Sequence, residues 1–258
     1  MAAQCKTTGT GRRVGRRYAL AAVLAVAALL AAPVLGDASG GYSGTCGPTG
    51  GARLGDFSVA CLTGVTQIAD EAEFNNAELY SAYWPSDGHI NESLWAFTGS
   101  PCAAGGGVEV GLTYGGYNDQ AEYGFYYGWT VGGHYYGHFV SSQSENGSEN
   151  VYALIWDGGG QYSIYIDGVI QYSPVGLSNG TCQGMVGLES TSAPSYSTSA
   201  ATFNDTPLYW ENPSGGWSSN FFSSYYVAYP CGLYGNTAPY CFNGAEYSSS
   251  YWANNQGT

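Results

Sequence analysis

"VEVGLTY" (Val108 to Tyr114) alternates apolar and small or polar residues with a period of two, the repeat of a strand with one buried face. Val108, Val110 and Leu112 share one face; Glu109, Gly111 and Thr113 share the other. Similar runs follow in "EYGFYYGW" (Glu122 to Trp129), "VYALIWD" (Val151 to Asp157), "YSIYIDG" (Tyr162 to Gly168) and "MVGLES" (Met185 to Ser190). Clusters of Gly, Asn, Asp and Ser bound them, as turns bound strands. Gly158 to Gly160 reads as one hairpin turn and Asp167-Gly168 as the next. Only Ile68 to Tyr80 offers a helix, and it reads equally well as a loop and a strand. No repeat of roughly 20 to 50 residues recurs, so propellers and solenoids drop out. Many short strands without βαβ alternation predict an all-β antiparallel β-sandwich or jelly roll.

Outward from these strands, the charges are unevenly placed. Five of the 6 basic residues lie within the first 17 positions, and all 19 acids begin at Asp37, so downstream only Arg53 opposes them. A surface with some 18 excess negative charges repels phosphate backbones and anionic lipid, which excludes nucleic acid and membrane surfaces as partners. The high aromatic content, 16%, rules against a disordered acidic tail. Two arginine pairs precede an apolar run from Tyr18 to Leu35, and small residues follow around Gly36 and Ala38. Residues 1–38 are therefore read as a cleaved signal peptide rather than a retained anchor. The arginine pairs fit the twin-arginine route in part, and the chain is expected to be secreted. Residues 39–54 form a Gly/Ser-rich arm, 55–217 the sandwich domain, and 218–258 an aromatic segment packed on it. A monomer is expected.

Six cysteines remain after the signal: Cys46, Cys61, Cys102, Cys182, Cys231 and Cys241. An even number in an exported chain reads as disulfides, with the connectivity open. No CxxC pair exists and only His89, His134 and His138 could add nitrogen ligands, so neither a metal nor a cofactor is expected. Spacing suggests a Cys102–Cys182 bond, because Cys102 precedes Glu109 by seven residues and Cys182 precedes Glu189 by seven. Bonded cysteines have Cα atoms within about 7 Å. Strands leaving them in one direction would then bring the two glutamates side by side. Cys46–Cys61 and Cys231–Cys241 are expected as local clips.

Glu109 and Glu189 stand out because each lies inside a strand pattern, on the face opposite the apolar residues, with a glycine two positions away. Two such acids on one concave sheet would make an acid/base pair. Asp157 and Asp167 read as turn residues, Glu145 and Glu149 as loop residues, and Asp70, Glu71 and Glu73 as a solvated charge run. With Arg53 as the only strong base left, few carboxylates can be salt-bridged. A fold at least as stable near pH 4 as at pH 8 is therefore expected.

"YSAYW" (Tyr80 to Trp84), "SLWAFTGSPCAAGGGVEVGLTYG" (Ser93 to Gly115), "EYGFYYGW" and, more loosely, "CQGMVGLES" (Cys182 to Ser190) together resemble the secreted glutamic peptidases of the eqolisin and neprosin type. The resemblance covers about residues 79 to 190. Glu109 stands where the eqolisin pattern has Gln, and Met185 where its second motif has a first Glu. The resemblance implies a concanavalin A-like jelly roll and an acid-acting endopeptidase. In it Glu189 would be the base that activates water, and Glu109 the partner of the oxyanion. The chain is also similar in size and tone to jelly-roll xylanases, which would make Glu109 the nucleophile and Glu189 the acid/base of a retaining glycosidase. A third reading is a non-catalytic lectin-like module. Tyr114, Tyr126, Trp129, Tyr136 and His138 are the expected substrate-binding residues, for a polypeptide or a polysaccharide. His138 is expected as a bystander more than as a third catalytic group.

Overall fold

The computed structural model describes residues 56–81, 89–100, 102, 106–117, 120–178, 180–190, 198–221, 223–227, 231 and 241–256. The segments expected as a signal peptide (1–38) and as an arm (39–54) lie outside the described residues. Among the described residues every regular element is a strand. In chain order they are β1 (Asp56–Gln67), β2 (Ala69–Asn75), β3 (Leu79–Ser81), β4 (His89–Thr98), β5 (Gly106–Tyr117), β6 (Gln120–Val131), β7 (His134–Ser142), β8 (Glu149–Gly158) and β9 (Gln161–Ile166). They continue with β10 (Val169–Tyr172), β11 (Thr181–Ser190), β12 (Thr198–Asp205), β13 (Leu208–Glu211), β14 (Trp217–Ser218), β15 (Ser224–Val227), β16 (Phe242–Ser248) and β17 (Tyr251–Gln256).

Three antiparallel sheets result. The largest runs β15-β1-β11-β4-β5-β6-β7, the second β10-β9-β8-β2-β13-β14, and the third β16-β17-β12-β3. The second and third sheets contribute to one core against the first. Val108, Val110 and Leu112 enter that core, as the alternation predicts, beside Leu94, Val186, Phe74, Tyr152, Phe203 and Trp252. Phe74 stacks on Tyr152 with ring centroids 4.0 Å apart. The expected turns are present. Gly158 to Gly160 link β8 to β9, and Asp167 (φ 49°) with Gly168 (φ 74°) links β9 to β10. The segment that could have been a helix carries β2.

The alternation in β2 corrects another expectation. Asp70, Ala72 and Phe74 are all buried on one face, so Asp70 is a core residue and not part of a solvated run. The carboxyl group is held well above its usual range by that burial.

Cys102–Cys182 and Cys231–Cys241 are bonded as expected. Cys61 is also disulfide-bonded; Cys46, the partner expected for it, lies outside the described residues. Such bonds fit an oxidising compartment. In the C-terminal segment, β15 pairs with β1 at one edge of the seven-stranded sheet, and the β16–β17 hairpin joins β12. These three strands are thus part of the sheets themselves.

Candidate active site

A strand has two faces, and the seven-stranded sheet uses both. On the face opposite the core a second cluster forms from Val59, Cys61, Trp95 and Met185, with Phe97 and Tyr226 against it. Glu109 shares this face. It sits on β5 directly across from Trp95 of β4, and is 7% exposed.

Three donors converge on its carboxylate. Trp95 Nε1 donates to Oε2 at 2.5 Å, Tyr126 Oη donates to Oε2 at 3.3 Å, and Tyr135 Oη donates to Oε1. Tyr126 also lies 2.5 Å from Ser93 Oγ. A phenol has one proton, which Tyr126 gives to Glu109, so Ser93 is the donor in that contact. The result is an ordered chain, Ser93 to Tyr126 to Glu109. Bonds to a charged acceptor are the stronger kind, and they fix where this carboxylate points.

Register explains how Tyr135 reaches a residue two strands away. The Gly132-Gly133 turn pairs Val131 with His134, which sets Thr130 against Tyr135 and Gly128 against Gly137. Gly128 stands abreast of Glu109 on β6. A Cβ there would lie 2.5 Å from Tyr135 Oη and 2.6 Å from Glu109 Oε1. The missing side chain is the space through which the phenol crosses β6.

Glu189 lies on the same face, but not beside Glu109. β11 pairs Glu189 with Asn91 and Met185 with Trp95. β4 then pairs Asn91 with Thr113 and Trp95 with Glu109. Glu189 is therefore level with Thr113, and Met185 is level with Glu109. Two strand spacings of about 4.8 Å and four residues at about 3.3 Å put the glutamate Cα atoms roughly 16 Å apart. That corrects the expected pair, since acid/base partners across a glycosidic bond need carboxyl groups about 5–5.5 Å apart for retention. The glycines beside the two acids also have another reason. A Cβ at Gly111 would lie 2.0 Å from Glu92 O, and one at Gly187 2.3 Å from Ser58 O. Close strand approach requires them, rather than room for a substrate.

The expected aromatic set divides between the two faces. Only Tyr126 joins Glu109. Trp129 pairs with Tyr136 and Tyr127 with His138, turned toward the core side at the open edge of the sandwich. There Trp129 stacks on Tyr136 at 5.2 Å and on Tyr172 at 4.6 Å, while His138 lies 5.3 Å from Tyr127. Tyr114 follows Leu112 on the core face and meets Tyr80 at 6.0 Å. Sequence reasoning missed Trp95, Ser93, Tyr135 and Gly128. The two-glycine turn was the available signal for Tyr135, because it makes Tyr135 and not Tyr136 the neighbour of Glu109.

A second carboxyl constellation lies inside the core. Glu92 on β4 shares its face with Leu94 and Ala96 and faces Asp205 of β12 and Asn254 of β17, all essentially inaccessible. Asn254 Nδ2 donates to Glu92 Oε1 at 3.2 Å and to Asp205 Oδ2 at 3.0 Å. Burial, then the neighbouring Asp205, holds Glu92 well above the usual range, and burial pushes Asp205 up to about 8. Two acids in contact away from water share a proton rather than both ionising. Among the described residues no cluster of three or more His, Cys, Asp or Glu could hold a metal ion.

No family model matches the chain, and no curated protein does. Solved structures do. Scytalido-glutamic peptidase with a transition state analog inhibitor superposes with a TM-score of 0.54 at 12% identity, covering 79% of this chain and 98% of that one. The same peptidase with a peptide based transition state analog gives 0.50, again at 12% identity and with the same coverage. The family read from short aromatic motifs is thus met in the architecture: this chain is similar in fold, over most of its length, to a glutamic peptidase with a jelly roll.

Proposed function

We propose that this chain is an exported hydrolase that cleaves polypeptide by activating water at a single carboxylate, Glu109. The observation that carries the reading is the convergence of Trp95, Tyr126 and Tyr135 on one recessed carboxylate. Donated hydrogen bonds favour the ionised form of a carboxylate, which is the form that accepts a proton from water. The fold supports the substrate class, since a peptidase of this architecture binds a peptide based analog. The reaction requires no covalent intermediate. Water attacks the amide carbon, Glu109 takes its proton, and the same proton leaves on the amine.

The decisive experiment incubates the purified protein with denatured protein and with xylan across acid pH. Peptide cleavage that falls by about 10²–10⁴-fold in Glu109→Gln is the expected result. Full activity in Glu109→Gln would overturn the reading. One observation favours a second reading, a non-catalytic binding module: Met185, not an acid, stands abreast of Glu109. Binding of peptide or glycan without cleavage would support that module.

A further inference from the structure

An amide hydrolase needs a donor for the oxyanion as well as a base for the water. The position abreast of Glu109 on β11 is Met185, a fully buried thioether, and not a second carboxyl group. Among the described residues the donors at hand are the groups that already bond to Glu109. Trp95 is 5% exposed and Tyr126 and Ser93 are 0% exposed. Trp95 and Tyr126 both donate to Oε2, and Tyr126 is held from behind by Ser93, so these groups are committed. Tyr135 differs in exposure, in place and in the oxygen it touches. It is 41% exposed, lies on the edge strand of its sheet, starts beside the Gly132-Gly133 turn and touches the other oxygen, Oε1.

Resting on the single-carboxylate reading, we infer that Tyr135 is the second catalytic group, the donor that turns from Glu109 to the scissile carbonyl when substrate enters. In the resting site the phenol O–H donates to Glu109 Oε1. A bound amide takes that hydrogen bond through its carbonyl oxygen, and water takes the vacated place at Oε1. As the water oxygen bonds to the carbonyl carbon, one water proton passes to Glu109 and the carbonyl π pair moves onto oxygen. That oxygen is held by the Tyr135 hydrogen bond, without proton transfer from the phenol. The pair then returns, the C–N bond breaks, and the amine departs with the proton from Glu109. The sum is amide plus water giving acid plus amine, with both side chains restored. The roles divide between two oxygens: Oε2 is anchored by Trp95 and Tyr126, while Oε1 exchanges partners.

Tyr135→Phe keeps the ring and removes only the donor, so it tests the role directly, with Tyr247→Phe at an exposed position of β16 as control. With denatured protein as substrate, Tyr135→Phe should lower kcat by on the order of 10²–10³ and change KM by less than roughly threefold. Tyr247→Phe should match the wild type. Wild-type kcat in Tyr135→Phe, together with an inactive Glu109→Gln, would overturn this inference and leave the hydrolase reading standing. An active Glu109→Gln, or no cleavage by the wild type, would overturn both.

Discussion

Met185 and Glu109 stand abreast on either side of Trp95, so the place that would face Glu109 with a second carboxyl group holds a thioether. Glu189, an in-strand acid on the same face, is four residues further along and about 16 Å away between Cα atoms. Glu189→Gln is therefore expected to leave hydrolysis within about twofold of the wild type, since a group that touches no reacting atom contributes little to kcat. Steady-state rates on denatured protein decide it. A loss comparable to that of Glu109→Gln would restore the two-glutamate pair.

Gly128 gives a separate handle on the Glu109–Tyr135 contact. The Cβ of Gly128→Ala would lie 2.5 Å from Tyr135 Oη and 2.6 Å from Glu109 Oε1, and the freer of the two groups must move. Tyr135 is that group. Stability should change by only about 1 kcal/mol, because the displaced phenol reaches solvent. Hydrolysis should fall as far as in Tyr135→Phe. Thermal melts beside kinetics separate the two effects. A folded Gly128→Ala with full activity would contradict the placement.

The core acids give the fold a pH dependence of definite sign. Glu92, Asp205 and Asp70 are all raised by burial, Asp205 to about 8, and Glu73 is raised to about 7 by burial and then by its bond to Glu149. An acid with a raised folded-state value binds more protons when native than when unfolded. Its contribution is complete below the unfolded value near 4 and is lost as pH climbs through the folded value. Among the described residues the groups that interact with the Glu92–Asp205 pair include Asn254, Tyr123, Tyr152 and Tyr251, and none of these four is a cation. The melting temperature is expected to fall from pH 4 to pH 8, and Glu92→Gln to flatten that fall. A steady rise over the same range would contradict it.

The Cys102–Cys182 bond closes a separation of 80 residues. Replacing both cysteines with serine should destabilise the fold by about 2–5 kcal/mol, as for other long loops. Urea midpoints under identical conditions give the measurement. An unchanged midpoint would show that the bond adds nothing to β5 and β11 beyond their own sheet.

Much of this was legible in the sequence, and the failures have physical causes. The period-two pattern at Val108, Val110 and Leu112 is local, and it placed Glu109 on the correct face. The seven-residue spacing identified the Cys102–Cys182 bond but not its consequence. Cys182 already lies inside β11, whereas β5 begins only at Gly106, so equal residue counts span unequal distances. That offset brings Met185 level with Glu109 in place of Glu189. Asp70 was readable in principle, since its spacing with Ala72 and Phe74 marks one buried face. The bond between Asn254 and Glu92 spans 162 residues, and no local pattern encodes such a meeting.

In the proposed reaction one carboxylate, Glu109, carries the chemistry. The direct measurement is the rate of peptide-bond hydrolysis by Glu109→Gln against the wild type at acid pH, with melting temperatures recorded to show that both are folded. The amide keeps the size; its oxygen at the Oε2 place accepts from Trp95 and Tyr126, and its NH2 at the Oε1 place donates to Tyr135 Oη, but it cannot take a proton from water. A folded variant whose rate falls by about 10²-fold or more is the expected result. A folded Glu109→Gln that cleaves at the wild-type rate would contradict it.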